Sequence, residues 1–381
     1  MKTTSGNNPK PTRNSPKANS KLYIGLMSGT SMDGVDVALC EVDTSHCRLI
    51  SSLEYLFSKA LKEEILQMIG SSTTLQTVGE MNHRLGLLFG EAVNALLAQE
   101  GIEAAHIRAI GLHGQTLWHN PRGEHPFSMQ LGDASIVAAQ TQIDVVSDFR
   151  SKDIALGGEG APFAPAFHQY LFHHLAKSIG VLNIGGMANL SVLQEPLIGF
   201  DTGPGNVLMD LWVQKERNLP YDRDGLWAQE GKADEALLSD LENEAYFAEP
   251  APKSTGRELF NQKWLDGYLQ KHPKVTAEDV QATLLELTVR SIANDVRRYK
   301  IEHLLVCGGG VKNRFLMHRL AEELENISVS ATDAYGVDSE QMEAMLFAWL
   351  AYKRIQREPV ELKAVTGAKS NTVLGGLYAK D

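Results

Sequence analysis

Cysteine is scarce: the chain of 381 residues holds three, Cys40, Cys47 and Cys307. That odd set has neither metal-ligand nor redox spacing, which excludes a disulfide scaffold and a cysteine-built zinc site. No apolar run approaches the roughly 18 residues that a membrane span needs. Positive charge is short as well, with 36 Lys and Arg against 47 Asp and Glu and a net charge of −11. No basic field exists to drive sequence-independent phosphate binding, so nucleic acid is not an expected partner. The common nucleotide fingerprints are missing too. There is no Gly-x-x-x-x-Gly-Lys-Ser/Thr, no Gly-x-Gly-x-x-Gly opening a helix after a strand, and no His-Glu-x-x-His. These absences fit a soluble protein of a reducing, cytoplasmic compartment.

What is present is an ordinary globular composition, 43% apolar and 22% charged, which excludes disorder over most of the length. At roughly 150 residues per domain, the chain accommodates two domains, each with its own core. Residues 1–20 are the exception. They carry four cations (Lys2, Lys10, Arg13, Lys17), three prolines and no Leu, Ile, Val or Phe, so they have nothing to bury and read as a disordered leader. Neither a secretory signal nor a transit peptide can be built from them.

From Leu22 to Met27 the pattern predicts a strand, followed by a turn-rich stretch from Ser28 to Gly34 and a strand whose Val35, Val37 and Leu39 share one face. A second hairpin is expected from Val181, turning at Gly185 and Gly186. Between the two, Val78, Met81, Leu85, Leu88, Ala92 and Leu96 recur at helical steps. The second half predicts a helix near 279–299, an apolar strand from His303 to Cys307, the turn Gly308-Gly309-Gly310 and another helix. A last long helix is expected over 339–357, capped by Asp338 with Gln341 as its capping-box partner. Alternation of this kind indicates an α/β fold.

Three glycine-rich turns thus follow apolar strands, and backbone N–H groups in such turns can surround anionic oxygens. Hairpin, hairpin and Gly-Gly-Gly before a helix is an order that resembles the sugar kinase, heat-shock chaperone and actin ATPases. In those proteins two hairpins hold phosphates and the last turn faces adenosine. By that resemblance the nucleotide contacts are Gly29, Thr30, Ser31, Met32, Asp33, Gly34, Val35 and Asp36, then Asn183, Gly185 and Gly186, then Gly308, Gly309 and Gly310. Asp33 and Asp36 would also offer oxygen ligands to hydrated magnesium, or else bond their own turn backbone.

The stretch Gly25-Leu26-Met27-Ser28-Gly29-Thr30-Ser31-Met32-Asp33-Gly34-Val35-Asp36 resembles the N-terminal signature of the anhydro-N-acetylmuramic acid kinases. Further blocks resemble that family in order: Gly111 to Thr116, Ser147 to Arg150, Asn183 to Asn189, Gly199 to Asn206 and Pro252 to Glu258. Together they cover nearly all of residues 22–381. The resemblance implies a two-lobed, actin-like α/β fold related to ribonuclease H, with ATP and Mg²⁺ in the cleft between lobes. On that fold the expected first lobe is roughly 21–145 joined by 361–381, and the second 146–360. It also implies that water opens 1,6-anhydro-N-acetylmuramic acid at C1 while O6 receives the γ-phosphate, in peptidoglycan recycling. Gly132-Asp133-Ala134-Ser135, with Ala where the family more often has Pro, and a loose adenosine turn at Cys307 to Val311 depart from the pattern.

In this reading Asp201 is the base. It ends the apolar stretch from Leu197 and precedes a glycine-rich turn into a helix, and strand ends of that kind face the crevice of α/β sheets. Its alternative role is to cap that helix. His113, Gln115 and Thr116, after the apolar stretch 110–112, are expected to contact the sugar, as is Glu343 through the family motif. Arg150 would pair with the lactyl carboxylate or, alternatively, with Asp153. His168 and His173, five apart, fall on different helix faces and do not suggest zinc. The partners are then a small sugar and ATP, with a homodimer as the default assembly. The alternatives are an ATPase of the same fold with a non-metabolic binding role, and a glycosidase that uses two carboxylates without nucleotide. Deleting residues 1–20 is expected to leave the turnover number unchanged; a large fall in steady-state rate would show that the leader is not inert.

Overall fold

The computed structural model describes residues 21–29, 32–175 and 178–380. The expected leader and two expected phosphate contacts, Thr30 and Ser31, lie outside the described residues. In chain order the strands are β1 (Lys21–Ser28), β2 (Gly34–Val42), β3 (Cys47–Leu56), β4 (Ile107–Asn120), β5 (Phe127–Leu131) and β6 (Val145–Ser147). They continue with β7 (Ile179–Ile184), β8 (Met187–Val192), β9 (Ile198–Pro204), β10 (His303–Cys307), β11 (Ser328–Ala331) and β12 (Gly376–Tyr378). The helices of the first half are α1 (Lys59–Gly70), α2 (Leu75–Glu100), α3 (Ala134–Thr141), α4 (Phe149–Ala155) and α5 (Ala164–Phe172). Then follow α6 (Val207–Arg217), α7 (Leu226–Glu230), α8 (Glu235–Glu242), α9 (Ala245–Ala248) and α10 (Gln262–Leu269). The last are α11 (Ala277–Arg298), α12 (Arg314–Glu323), α13 (Met342–Gln356) and α14 (Lys363–Thr366).

The strands form two sheets with one shared topology. One runs β12-β6-β4-β1-β2-β3, with β5 also paired to β4; the other runs β11-β10-β7-β8-β9. Each begins as a three-stranded antiparallel meander, and two further strands then add in parallel beside its first strand. This duplicated α/β architecture matches the two-part fold expected from the glycine-turn order. No periodic sequence repeat announces it.

Burial explains the layering. In β2, Val35, Val37 and Leu39 pack with Leu85 and Phe89 of α2, as the alternation predicts. The other face is buried as well: Ala38, Cys40 and Val42 join a second cluster with α5, α13 and, from the other sheet, Val181, Leu305 and Cys307. The remaining face of the second sheet, with Leu182, Ile184, Leu304 and Val306, packs on α11 through Leu285, Val289 and Ile292. Helices α5 and α13 therefore lie between the sheets. Among the described residues no helix is long and apolar enough to cross a membrane.

The capping of α13 differs from the sequence expectation. Asp338 Oδ1 accepts from the backbone N–H groups of Glu340 and Gln341 in a separate turn. The helix starts only at Met342, with Gln341 as an N-cap that makes no side-chain bond. The short Asp-turn competes with the first helical turn for the same donors. The helix then runs over β1 and β4 at the point where Gly25 and Gly111 lie side by side in register. A Cβ on Gly25 would meet the carbonyl oxygen of Ala344 at 1.8 Å, and one on Gly111 would meet that of Phe347 at 1.9 Å. Both obstacles are backbone, so neither can swing aside. Gly25→Ala is expected to cost about 3 kcal/mol by overpacking, read as a lower urea midpoint; an unchanged midpoint would mean that the helix shifts freely.

Candidate active site

The first turn is tied down by its strand partners. Ser28 Oγ lies 2.7 Å from Gln115 Oε1 and 3.1 Å from the Gly34 carbonyl, joining the ends of the turn to β4. Met32 takes a positive φ of 54°, a conformation uncommon for a side chain of that kind. Asp33 Oδ1 accepts from Lys62 Nζ at 2.6 Å. Asp36 is half-buried, and burial, then the nearby carboxylates of Glu54 and Glu343, push it up to about 6.

The other two turns meet at the end of β7. Gly308 has a φ of +83°, and a Cβ there would lie 2.1 Å from Asn183 Oδ1, so both backbone and space require glycine. A Cβ on Gly310 would strike Ile184 at 2.4 Å, whereas Gly309 faces open space. A Cβ on Gly185 or Gly186 would make only ordinary van der Waals contact, with the Met187 carbonyl oxygen at 3.7 Å or Val207 Cβ at 4.0 Å, and the carbonyls of the two glycines accept from the N–H groups of Asn206 and Val207 at the start of α6. Asn183 Nδ2 donates to Glu343 Oε1 at 3.2 Å. Glu343 is electrostatically coupled to Asp36 as well, so it stands where the three turns converge.

A cavity of about 860 Å³ opens beside them and is lined by residues of both sheets. His113, Arg150, Asn183, Asp201 and Glu343 all line it. Gln115 and Thr116 do not: Gln115 is buried against Ser28, and Thr116 Oγ1 accepts from Gln130 Nε2 at 3.3 Å. Their places on β4 turn them to the hairpin partners instead.

Asp201 lies within β9, paired with Asn189 of β8. Its Oδ2 accepts from Ser254 Oγ at 3.1 Å and from the Thr255 N–H at 3.0 Å. Its Oδ1 has no protein partner among the described residues. Burial raises its pKa; the Thr255 and Ser254 donors oppose that shift and Glu258 adds to it. This carboxylate caps no helix, since α6 starts at Val207 with Asn206 as its N-cap.

Arg150 enters from the first turn of α4. Its Nη2 lies 2.9 Å from His113 Nε2, its Nη1 donates to the Gly160 carbonyl at 3.1 Å, and its Nε has no partner among the described residues. A guanidinium only donates, so His113 Nε2 accepts and its proton sits on Nδ1. Burial and the Arg150 charge pull His113 down to about 3, which keeps it neutral. Burial lowers Arg150 to about 10 while Glu343 partly restores it. Asp153 is not the arginine's partner: its oxygens accept from the Gly160 N–H at 2.7 Å and Thr366 Oγ1 at 2.8 Å. Glu343 is open to the cavity, yet protein surrounds it, and burial raises its pKa against the pull of Asn183 and Arg150.

Several lining residues were given no role of their own by the sequence. His168 Nδ1 lies 2.8 Å from Ser191 Oγ, and burial pulls this histidine down to about 3. Lys253 and Ser254 line the same cavity beside Asp201, and at the mouth Arg122 Nε donates to Glu159 Oε1 at 2.8 Å. Among the described residues no group of three or more His, Cys, Asp or Glu could hold a metal ion. An ion arriving with a nucleotide takes most of its oxygens from phosphate and water and needs only one or two carboxylates. The carboxylates beside the first turn are Asp36 and Asp33, the latter already bonded to Lys62.

The family profile described as anhydro-N-acetylmuramic acid kinase matches residues 21–380. The enzyme of that name from Sulfurovum sp. (strain NBC37-1) is 55% identical over 361 residues, covering 94% of this chain and 99% of that one. Its namesake from Vibrio cholerae serotype O1 is 52% identical over 370 residues, covering 96% of this chain and all of that one (100%). Among solved structures, the activator of the 2-hydroxyisocaproyl-CoA dehydratase from Clostridium difficile with bound ADPNP is remotely similar, with a TM-score of 0.45 and 11% identity over 88% of this chain and 97% of that one. By its matched profile and its relatives, the chain belongs to the anhydro-N-acetylmuramic acid kinase family.

Proposed function

We propose that this cavity is where the chain, as a kinase of its family, opens 1,6-anhydro-N-acetylmuramic acid with water and transfers the γ-phosphate of ATP to O6. One observation carries the reading. One cavity holds a buried guanidinium, Arg150, and a carboxylate, Asp201, and among the described residues the first has no carboxylate at bonding distance and the second has one unbonded oxygen. An unpaired buried cation is costly, and an anionic substrate group such as the lactyl carboxylate would relieve that cost. His113, fixed as the Nδ1–H tautomer, holds the guanidinium in place for it. Asn183 orients Glu343, whose carboxyl group would bond the sugar.

Asp201 Oδ1 then takes a proton from water as the water oxygen bonds to C1. The C1–O6 bond breaks, and its electron pair stays on O6. That oxygen attacks the γ-phosphorus, and ADP departs with the electrons of the bridging bond. A carboxylate whose pKa is raised by burial is a stronger base for this step. The open faces at Gly29 and Gly309, together with Met32, Gly34, Val35, Gly185, Gly186, Gly308 and Gly310 around them, would receive the nucleotide. Asp36 and Asp33 would hold magnesium, which supplies charge neutralisation along the triphosphate when bound.

The family relatives do not favour the non-metabolic alternative, and no net positive field invites nucleic acid. Cytoplasmic location is part of the proposal, supported by three free, buried cysteines, which suit a reducing compartment. A homodimer is proposed on the general preference for two-fold assembly.

Asp201→Asn is expected to lower kcat by roughly 10²–10⁴-fold for ring opening and phosphorylation alike, with ATP binding intact by calorimetry. In ¹⁸O water the product should carry label at C1 and phosphate at O6; a variant that loses only one of the two events would refute the shared base. Arg150→Met is expected to raise KM for the sugar roughly 100-fold, the loss of a buried charged contact. An unchanged KM would remove Arg150 from substrate recognition.

A further inference from the structure

We propose that the segment Pro252–Thr255 is the positioning device for Asp201. Ser254 and the Thr255 backbone hold Oδ2, leaving Oδ1 as the one oxygen that accepts the proton, and Lys253 anchors the segment. The inference rests on reading Asp201 as the base.

Asp201 is gripped at three points, two of them by the segment and the third by Tyr246 of α9. The Asp201 N–H donates to the Lys253 carbonyl at 3.0 Å. The Asp201 carbonyl accepts from the Tyr246 hydroxyl at 2.6 Å. The side chain is held through Oδ2 by the two donors of Ser254 and Thr255. An aspartate side chain has only two rotatable bonds, so fixing the backbone and one oxygen fixes where the other oxygen lies.

The anchor is unusual for a lysine. Lys253 is buried, and its ammonium faces the carbonyls of Tyr246 at 3.3 Å and Phe247 at 3.4 Å and lies 4.7 Å from the centre of the Tyr246 ring. Asp295 of α11 stands 3.8 Å away, and both side chains are almost wholly buried. A buried lysine keeps its charge only with such partners. Lys253 thus ties α9 and the last turn of α11 to the strip of backbone that holds the base. The spacing of charges serves the same end. The titratable groups around Asp201 are Glu258, Tyr246, Lys253 and, behind the lysine, Asp295. Across the cavity stand Arg150, His113, Glu343 and the neutral His168. Of these none donates to Oδ2.

The pH dependence separates this role from a merely structural one. A base must be ionised, so activity is present above the Asp201 pKa and lost as pH falls through it. Ser254 donates to the ionised form, and removing that donor raises the pKa. Ser254 is exposed, so truncating it leaves the core untouched. Ser254→Ala is therefore expected to move the acid limb of the kcat/KM profile up by about one pH unit and to lower plateau kcat about tenfold. KM for the sugar should stay unchanged, and Ser254→Thr should restore both values. A raised KM with an unmoved limb would overturn the proposal and make Ser254 a sugar contact. The base reading fails separately: Asp201→Asn with near-normal kcat and an intact acid limb would dispose of it, whatever Ser254→Ala does.

Discussion

The site depends on one close approach. Helix α13 lies directly on the backbone of β1 and β4 because Gly25 and Gly111, neighbours in register, present no side chains to it. A helix that rides this close carries its first turn to the convergence of the three glycine turns, where Glu343 meets Asn183. The same helix forms the common core with the facing sheet through Val181, Leu305 and Cys307. Two sheets that share a five-stranded core topology are thereby held at the spacing that leaves a cavity between them. Packing density makes such contacts sensitive to a single methyl group.

Within that frame the electrostatics are divided by burial. On one wall a guanidinium is desolvated and faces a histidine kept neutral by the same desolvation and by the guanidinium itself. On the other, a carboxylate is desolvated but given two donors on a single oxygen. The first arrangement leaves a positive group in want of an anion. The second leaves an oxygen in want of a proton. Desolvation strengthens both demands, since charge interactions grow as the surroundings become less polar.

Much of the fold was legible in the chain. Strands 22–27 and 303–307 and the helices near 78–96 and 279–299 follow from period alone, because burial on one face writes itself into spacing. The start of α13 was not: Asp338 satisfies two N–H groups in its own turn, a local competition that a capping-box pattern does not reveal. Nor was the duplication of the sheet, which is a property of connection order rather than of residue identity. For the site, the motif around Asp201 is conspicuous. Its donors Ser254 and Thr255 lie 53 and 54 residues further on, and no local rule joins them.

The sequence by itself determined the α/β class, the order of the glycine turns and the family to which the chain belongs, because each is carried by residue type at short spacing. Only the tertiary structure decided which side chains share the cavity. Gln115 turns to Ser28 while its neighbour His113, two positions earlier on the same strand, turns to Arg150. Gly114 between them has a φ of +80° and the pairing of β4 with β1 shifts register there, which breaks the strand alternation, and such an irregularity is fixed only once the strands have paired.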